Sequence, residues 1–273
     1  MTKDFSFARV LLLLKKQWIE NIRFYLYATL ALIGLLGAVF LFWLSTGGDK
    51  YDEGLLIGVF FLGLYLSGAI FASTSFNMLR GKAKSICWLS FPASHLEKLI
   101  CLIFYNFIVF TVIYCVCFFL LAIPTVAYIQ ELVSSNPLKY RFNRIDWSPS
   151  HHQVDACYYF SYGFLGIQAL YLLGSIYFRR YSFILTTIIG AFIFFCFILY
   201  LKNLMAFFSS DFQITLGNPF YASTKYIANS FKTYEPNHTF SDVIVFLFKF
   251  IWAPFFLVVT WFRLTEKRVE NRI

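Results

Sequence analysis

Residues Leu99–Ile123 read LICLIFYNFIVFTVIYCVCFFLLAI and contain no Asp, Glu, Lys or Arg. A helix needs about 20 mostly apolar residues to cross the hydrocarbon core of a bilayer, and a charge at its centre costs about 2.5–3.5 kcal/mol. This stretch therefore predicts a membrane-spanning helix. The whole chain is similar in character, since 59% of its 273 residues are hydrophobic and 14% are charged. Soluble domains are about 25% charged, so the composition excludes an ordinary soluble protein.

Further stretches along the chain have the same length and composition. The predicted spans are Phe24–Leu44, Leu55–Phe76, Leu99–Ile123, Tyr158–Phe178, Ser182–Leu201 and Val243–Phe262. Lys249 is the single charged residue within these six ranges. The sequence therefore predicts an all-α fold, in which residues 1–273 form one six-span transmembrane domain.

The positive charges predict the orientation of these spans. Lys and Arg are concentrated before the first span, in residues 77–98, in the turn at Arg179–Arg180 and after the last span. They are sparser in the long connections 124–157 and 202–242. Because connections rich in Lys and Arg stay in the cytoplasm, both termini are expected to be cytoplasmic and the two long connections extracytoplasmic.

Residues 5–23 have the periodicity of an amphipathic helix. Phe7, Leu11, Leu14 and Trp18 form one apolar stripe, and charged residues fall on roughly the opposite side. Such a helix can lie in the membrane interface with its apolar stripe toward the lipid and its basic face toward the headgroups. The alternative is that residues 5–23 extend the first span toward the cytoplasm.

The connection between the second and third spans, residues 77–98, is short, basic and cytoplasmic in this topology. Its basic opening is followed by the apolar piece Ile86–Phe91. A short element held between two spans suits a contact that transmits force, and the other interpretation is an ordinary basic loop. The candidate contact residues are Arg80, Lys82, Lys84, Ile86, Trp88 and Leu89.

The same connection ends with a helix-start signal. Pro92 breaks any preceding helix. Ser94 and Glu97 then have the spacing of a capping box, in which each side chain accepts the other residue's backbone N–H. The chain is therefore expected to begin a new helix directly before the third span.

The long connection before the last span, 202–242, contains semi-apolar pieces and the turn signal Gly217–Asn218–Pro219. These features predict a re-entrant segment of short helices.

The sequence contains no phosphate-binding G-x-x-x-x-G-K-[ST] loop, H-E-x-x-H or G-x-S-x-G motif. Neither catalysis by the chain itself, nor a bound cofactor or metal, nor nucleic-acid binding is expected.

Taken together, this layout resembles an ABC-2 type permease, the six-span membrane subunit of a type V ABC exporter. Residues 5–23 match its elbow helix, Asn77–Phe91 its coupling helix and Lys202–Asp242 its re-entrant segment. The run Leu89–Lys98, LSFPASHLEK, and the aromatic, basic ending Trp261–Val269 are similar to family motifs.

The resemblance implies a bacterial cytoplasmic (inner) membrane and a second permease subunit, identical or different. It also implies two copies of a separate ATPase, which would bind ATP and Mg²⁺. Many family members open the coupling segment with an acidic residue, whereas this chain has Arg80, Lys82 and Lys84. The insert 124–157 is long for the family and suits an extracytoplasmic protein partner.

Two other functions stay open at the level of sequence. The same fold can serve as a non-transporting scaffold or accessory subunit of an envelope assembly, with the two long connections as docking surfaces. It can also form a membrane enzyme that acts on lipid, although clustered acid, base or metal-ligand residues are scarce. The sequence names no transported substrate.

Overall fold

The computed structural model describes residues 6–46, 50–77, 88, 93–143, 152–178, 180–208, 223–227, 230–234, 246 and 250–270. This part of the chain is mostly helical. Its helices are α1 (Phe7–Thr46), α2 (Glu53–Thr74), α3 (His95–Ile103), the π-helix π1 (Phe104–Val109), α4 (Phe110–Ser135), α5 (His152–Tyr177), α6 (Ser182–Phe208) and α7 (Trp252–Glu270). Its strands are β1 (Lys50–Asp52), β2 (Arg141–Asn143), β3 (Ser223–Ile227) and β4 (Ser230–Tyr234).

The chain is a predominantly α-helical membrane protein. Within the described ranges, four stretches are long and apolar enough to cross a bilayer: α1, α2, the continuous stretch His95–Ser135 and the first part of α6, Ser182–Tyr200. Helix α5 overlaps the predicted fourth span, and α7 overlaps the second half of the predicted sixth span. The count of six spans is not confirmed. Lys249, inside the predicted sixth span, lies outside the described residues.

The first helix differs from the prediction of a separate elbow. One helix of 40 residues, α1, covers both the amphipathic segment and the first predicted span. Residues 7–33 contain neither Gly nor Pro, so nothing interrupts the backbone hydrogen bonds between the two parts. At 1.5 Å per residue α1 is about 60 Å long, roughly twice the thickness of a hydrocarbon core. A distinct elbow helix is therefore not confirmed.

The bundle is built around α5, which packs against α2, α6 and α7, while α1 packs against α3 and α4. Small residues allow these close approaches, as in other membrane proteins. A Cβ on Gly68 of α2 would lie 2.6 Å from Nε2 of Gln168 on α5. A Cβ on Gly174 of α5 would lie 2.8 Å from the Cβ of Thr186 on α6.

The tight packing at Gly174 gives a test of the α5–α6 pair. We expect Gly174→Ala to destabilise the protein by about 1–3 kcal/mol, because overpacking forces the two helices apart. Gly37→Ala on α1 is the control, since no described atom lies within 4 Å of the added Cβ. That change should be neutral or stabilise by up to about 1 kcal/mol. Thermal denaturation in detergent measures both, and equal effects would contradict this packing.

The first and third connections meet at one end of the bundle. β1 pairs in parallel with β2, with Lys50 opposite Arg141 and Asp52 opposite Asn143. The buried Tyr51 packs edge-to-face on Trp43 of α1, with ring centroids 5.8 Å apart. Alternation of spans predicts that these two connections lie on the same side, and the strand pairing brings them together there.

The connection before the last span differs from the expected re-entrant helices. Its first apolar piece, Leu204–Phe208, continues α6. Further along, β3 and β4 form an antiparallel hairpin, with Lys225 opposite Lys232. β3 includes Thr224 and Ile227, β-branched residues that favour strands over helices. A re-entrant helical segment is not confirmed, and Gly217–Asn218–Pro219 lies outside the described residues.

Candidate functional site

The candidate site lies at the end of the bundle where α1 begins, α2 ends, α3 begins and α5 ends; we refer to it as the helix junction. Its first component is the capping box at the start of α3. The Ser94 hydroxyl accepts the Glu97 N–H at 3.1 Å, and Glu97 Oε2 accepts the Ser94 N–H at 2.8 Å. This is the arrangement that the sequence predicts. It fixes where α3 begins and holds the Glu97 side chain in one rotamer.

The other oxygen of this carboxylate binds the start of α1. Glu97 Oε1 accepts the Ser6 N–H at 2.9 Å and the Arg9 Nε–H at 3.1 Å, and it pairs with Arg9 Nη2 at 3.1 Å. The Glu97 side chain is fully buried. A buried charge requires such partners. An ionised carboxylate can only accept hydrogen bonds, and all of these partner groups donate them. Glu97 therefore joins the first turns of α1 and α3.

This link changes the interpretation of the basic residues before the first span. The sequence places their charges toward lipid headgroups, whereas Arg9 turns inward to Glu97. The residues predicted for the membrane face are distributed differently: Phe7, Leu11 and Trp18 are exposed, and Leu14 is half-buried. The exposed side chains are those available to contact lipid.

The second component of the junction is Trp88, within the predicted coupling segment. The buried Lys98 donates from Nζ to the Trp88 carbonyl at 2.8 Å, and Nζ lies 5.0 Å from the centroid of the Trp88 ring. The Trp88 ring also packs edge-to-face on Phe76, with centroids 6.3 Å apart. Trp88 is thus held from both sides, by α3 and by the residues that follow α2.

Trp88 packs against a buried apolar cluster that joins several helices. The members of this cluster are Phe76, Leu99, Leu102, Leu172, Ile176 and Leu264. They come from the residues that follow α2 and from α3, α5 and α7. The other predicted contact residues, Arg80, Lys82, Lys84, Ile86 and Leu89, and the helix-breaking Pro92 lie outside the described residues.

The third component is π1, which interrupts the predicted third span. Within it, the Tyr105 hydroxyl donates to the Leu14 carbonyl of α1 at 2.8 Å. The buried Asn106 accepts from the Ser75 hydroxyl at 3.0 Å and donates to the Leu102 carbonyl at 2.8 Å. Adjacent residues of π1 therefore bind α1 and the end of α2, and π-helical turns frequently occur at functional sites.

Sequence reasoning missed π1 because FYNFIV reads as an uninterrupted part of an apolar span. The one available signal was Asn106, the only amide side chain in Leu99–Ile123. A polar side chain inside a span generally faces the protein interior and has a function. Nothing in the local sequence indicates the change in hydrogen-bond register.

These components surround a cavity of about 240 Å³. One face of α1 forms a wall, and the end of α2, Trp88, α3 and π1 complete it. The lining mixes ammonium, carboxylate, amide and hydroxyl groups with aromatic rings, so the cavity can hold a ligand that is partly polar and partly apolar. The residues that line it are Leu13, Lys16, Gln17, Glu20, Asn21, Phe24, Tyr25, Phe71, Thr74, Ser75, Asn77, Trp88, Lys98, Leu102, Tyr105 and Asn106.

Within the described part of the chain, no group of three or more His, Cys, Asp and Glu side chains could hold a metal ion. The helix junction joins α1, α2, α3, π1, α5 and α7, and a partly polar cavity lies beside it. No known protein family, curated protein or solved structure matches the chain.

Proposed function

We propose that this chain is the membrane-spanning permease subunit of an ABC exporter, with six spans and both termini in the cytoplasm. A second permease subunit would complete the transport path. Two copies of a separate ATPase would bind ATP and Mg²⁺ and dock on residues 77–98. The chain itself would catalyse no reaction, and the membrane would be the bacterial cytoplasmic membrane.

The observation that carries this proposal is the attachment of Trp88 to the helix junction. A segment that transmits force must be fixed to the elements that it moves. Trp88 is bound through its carbonyl and ring to Lys98, and it packs on the cluster formed by α2, α3, α5 and α7. A displacement of residues 77–98 would therefore move these helices together.

The Glu97 link extends the same coupling to α1. Glu97 is adjacent to Lys98 in sequence and binds Ser6 and Arg9 at the start of α1. The junction would then respond as one body when an ATPase dimer closes against it. Rigid-body movement of packed helices about an interface is a recurrent form of such switching.

The distribution of charge supports placing this end in the cytoplasm. The helix junction contains the start of α1 and the connection that leads to α3, and both are rich in Lys and Arg. The opposite end carries β1 and β2. Because positive charge marks the cytoplasmic side, residues 77–98 would be accessible to an ATPase there.

A second candidate function is a non-transporting scaffold of an envelope assembly. The observation that favours it is the strand structure in the connections assigned to the outer side, where β1 pairs with β2 and β3 with β4. Ordered strands give an extracytoplasmic partner a defined surface. A permease with such a partner would have the same feature, so the ATPase decides between the two functions.

The coupling role is tested by removing positive charge from one end at a time. We expect the triple variant Arg80→Ala, Lys82→Ala, Lys84→Ala to fold and reach the membrane but to lose stimulation of its ATPase. A transmitting contact cannot act when its docking charges are gone. ATP hydrolysis by the purified complex provides the measurement.

The matched control removes three positive charges from the other end, by Lys139→Ala, Arg141→Ala and Arg144→Ala. Hydrolysis should then remain at the level of the unaltered complex. Equal hydrolysis by both triple variants and the unaltered complex would show that residues 77–98 do not couple to the ATPase.

A further inference from the structure

We infer that the cavity at the helix junction binds a phosphate group, supplied by the headgroup of a membrane phospholipid. The inference depends on the membrane placement of α1 and α2 and does not require the ATPase. It rests on the depth, the charge and the size of the cavity.

The depth of the cavity matches that of lipid phosphates. Its wall on α1 runs from Leu13 to Tyr25, ending where the first predicted span begins at Phe24. Its wall on α2 is the last turn, at Thr74 and Ser75. Both helices therefore place the cavity at the boundary between hydrocarbon and water, where phospholipid headgroups are concentrated.

The charge of the lining favours a phosphate. Lys16 and Lys98 both line the cavity, together with one carboxylate, Glu20. The lining thus carries one net positive charge. The Lys16–Glu20 contact is long, at 3.7 Å, and both side chains are nearly half exposed, so this pair is weak. Ammonium groups bind phosphate through charge-assisted hydrogen bonds, and an ammonium has three N–H donors that can serve several acceptors.

The size of the cavity and its uncharged lining residues fit a lipid headgroup better than a complete drug-sized molecule. The cavity of about 240 Å³ is smaller than the roughly 300–1,000 Å³ of pockets that enclose drug-sized molecules. Asn21 and Asn77 contribute amide groups, and Phe71 and Leu102 contribute apolar surface. Polar groups can therefore surround a phosphate while the glycerol and the acyl chains continue along apolar walls toward the bilayer.

The two lysines at the start of α1 provide a matched pair of variants. Lys16 lines the cavity, whereas its neighbour Lys15 is exposed and lies outside the lining. Lys16→Met should weaken phospholipid binding about tenfold, since it removes a charge-assisted hydrogen bond. Lys15→Met removes the same charge from the same helix and should leave binding unchanged.

A second pair of variants tests the cavity by enlarging a side chain inside or outside it. Thr74→Phe places a ring in the cavity, and Ile70→Phe enlarges an exposed residue one turn earlier on α2. We expect the first change to displace the lipid and the second to have no effect. If Thr74→Phe fails to fold, Lys16→Met still tests the inference, because Lys16 is half-exposed and its replacement leaves the core unchanged.

The experiment measures bound lipid and stability of the full-length protein in mild detergent. Native mass spectrometry counts retained lipid, and thermal denaturation is followed with added phosphatidylglycerol, phosphatidylethanolamine, diacylglycerol or inorganic phosphate. We expect the protein to bind the two phospholipids but not diacylglycerol. We also expect Lys16→Met to weaken this binding and Lys15→Met to leave it unchanged. Stabilisation by inorganic phosphate equal to that by phospholipid would assign the phosphate to a soluble source. Equal binding of diacylglycerol, or equal losses in the two lysine variants, would overturn the inference.

Discussion

Replacing Glu97 by Ala is expected to lower the free energy of unfolding by about 3 kcal/mol, because it leaves the partly buried Arg9 side chain and two backbone N–H groups without their acceptor. The change also removes half of the capping box, and a lost helix cap alone costs about 1 kcal/mol. Glu97 is fully buried and receives hydrogen bonds from Ser6, Arg9 and Ser94. Loss of its carboxylate should therefore release α1 from α3. Thermal or chemical denaturation in detergent measures the effect.

The matched control is Glu266→Ala. Glu266 pairs with Arg263 at 2.7 Å, but its side chain is 61% exposed, and an exposed pair contributes about 0–1 kcal/mol. Glu97→Gln should fall between the two, because it keeps the shape and the hydrogen-bonding oxygen but loses the charge. If Glu97→Ala were no more harmful than Glu266→Ala, the link between α1 and α3 would not exist.

Inserting one Ala directly after Ile108 is expected to have the second large effect, a loss of more than about 4 kcal/mol of stability. π1 already takes up one extra residue within an otherwise α-helical stretch. A further residue would rotate the segments on either side by about 100° relative to each other. Tyr105 binds Leu14 on one side of the insertion, and Tyr114 binds the Phe60 carbonyl at 2.8 Å on the other. One of these contacts must be lost.

Two controls distinguish the effect of the helix register from the effect of the Ile108 side chain. Ile108 is 53% exposed, so Ile108→Ala, which keeps the number of residues, should cost little. Inserting one Ala after Leu138, a fully exposed residue in the turn after α4, tests whether any one-residue insertion is harmful. Size-exclusion profiles and denaturation curves compare the three proteins. A stable, monodisperse protein with the insertion after Ile108 would show that the orientation of the two flanking segments is unimportant.

Features encoded within a few residues could be predicted from the sequence. The helical, membrane-embedded character follows from long uncharged stretches such as Leu99–Ile123. The capping box was predictable because Ser94 and Glu97 are three residues apart and their contacts are local.

Features formed between distant segments could not be predicted in this way. Arg9 and Glu97 are separated by 88 positions, and amphipathic periodicity gives no information about which helix an inward charge meets. The continuity of α1 was left open by a pattern that fits both an interfacial helix and a longer span. The cavity was missed for the same reason, because Lys16, Ser75 and Asn106 come together only after three helices have packed.

The central claim, that this chain is the membrane subunit of an ABC exporter, is tested most directly by what accompanies it from the membrane. The tagged protein would be purified in mild detergent and its partners identified and quantified by mass spectrometry. The proposal predicts a P-loop ATPase at about one copy per permease chain. Recovery of envelope proteins without any ATPase would contradict the exporter assignment and support the scaffold function.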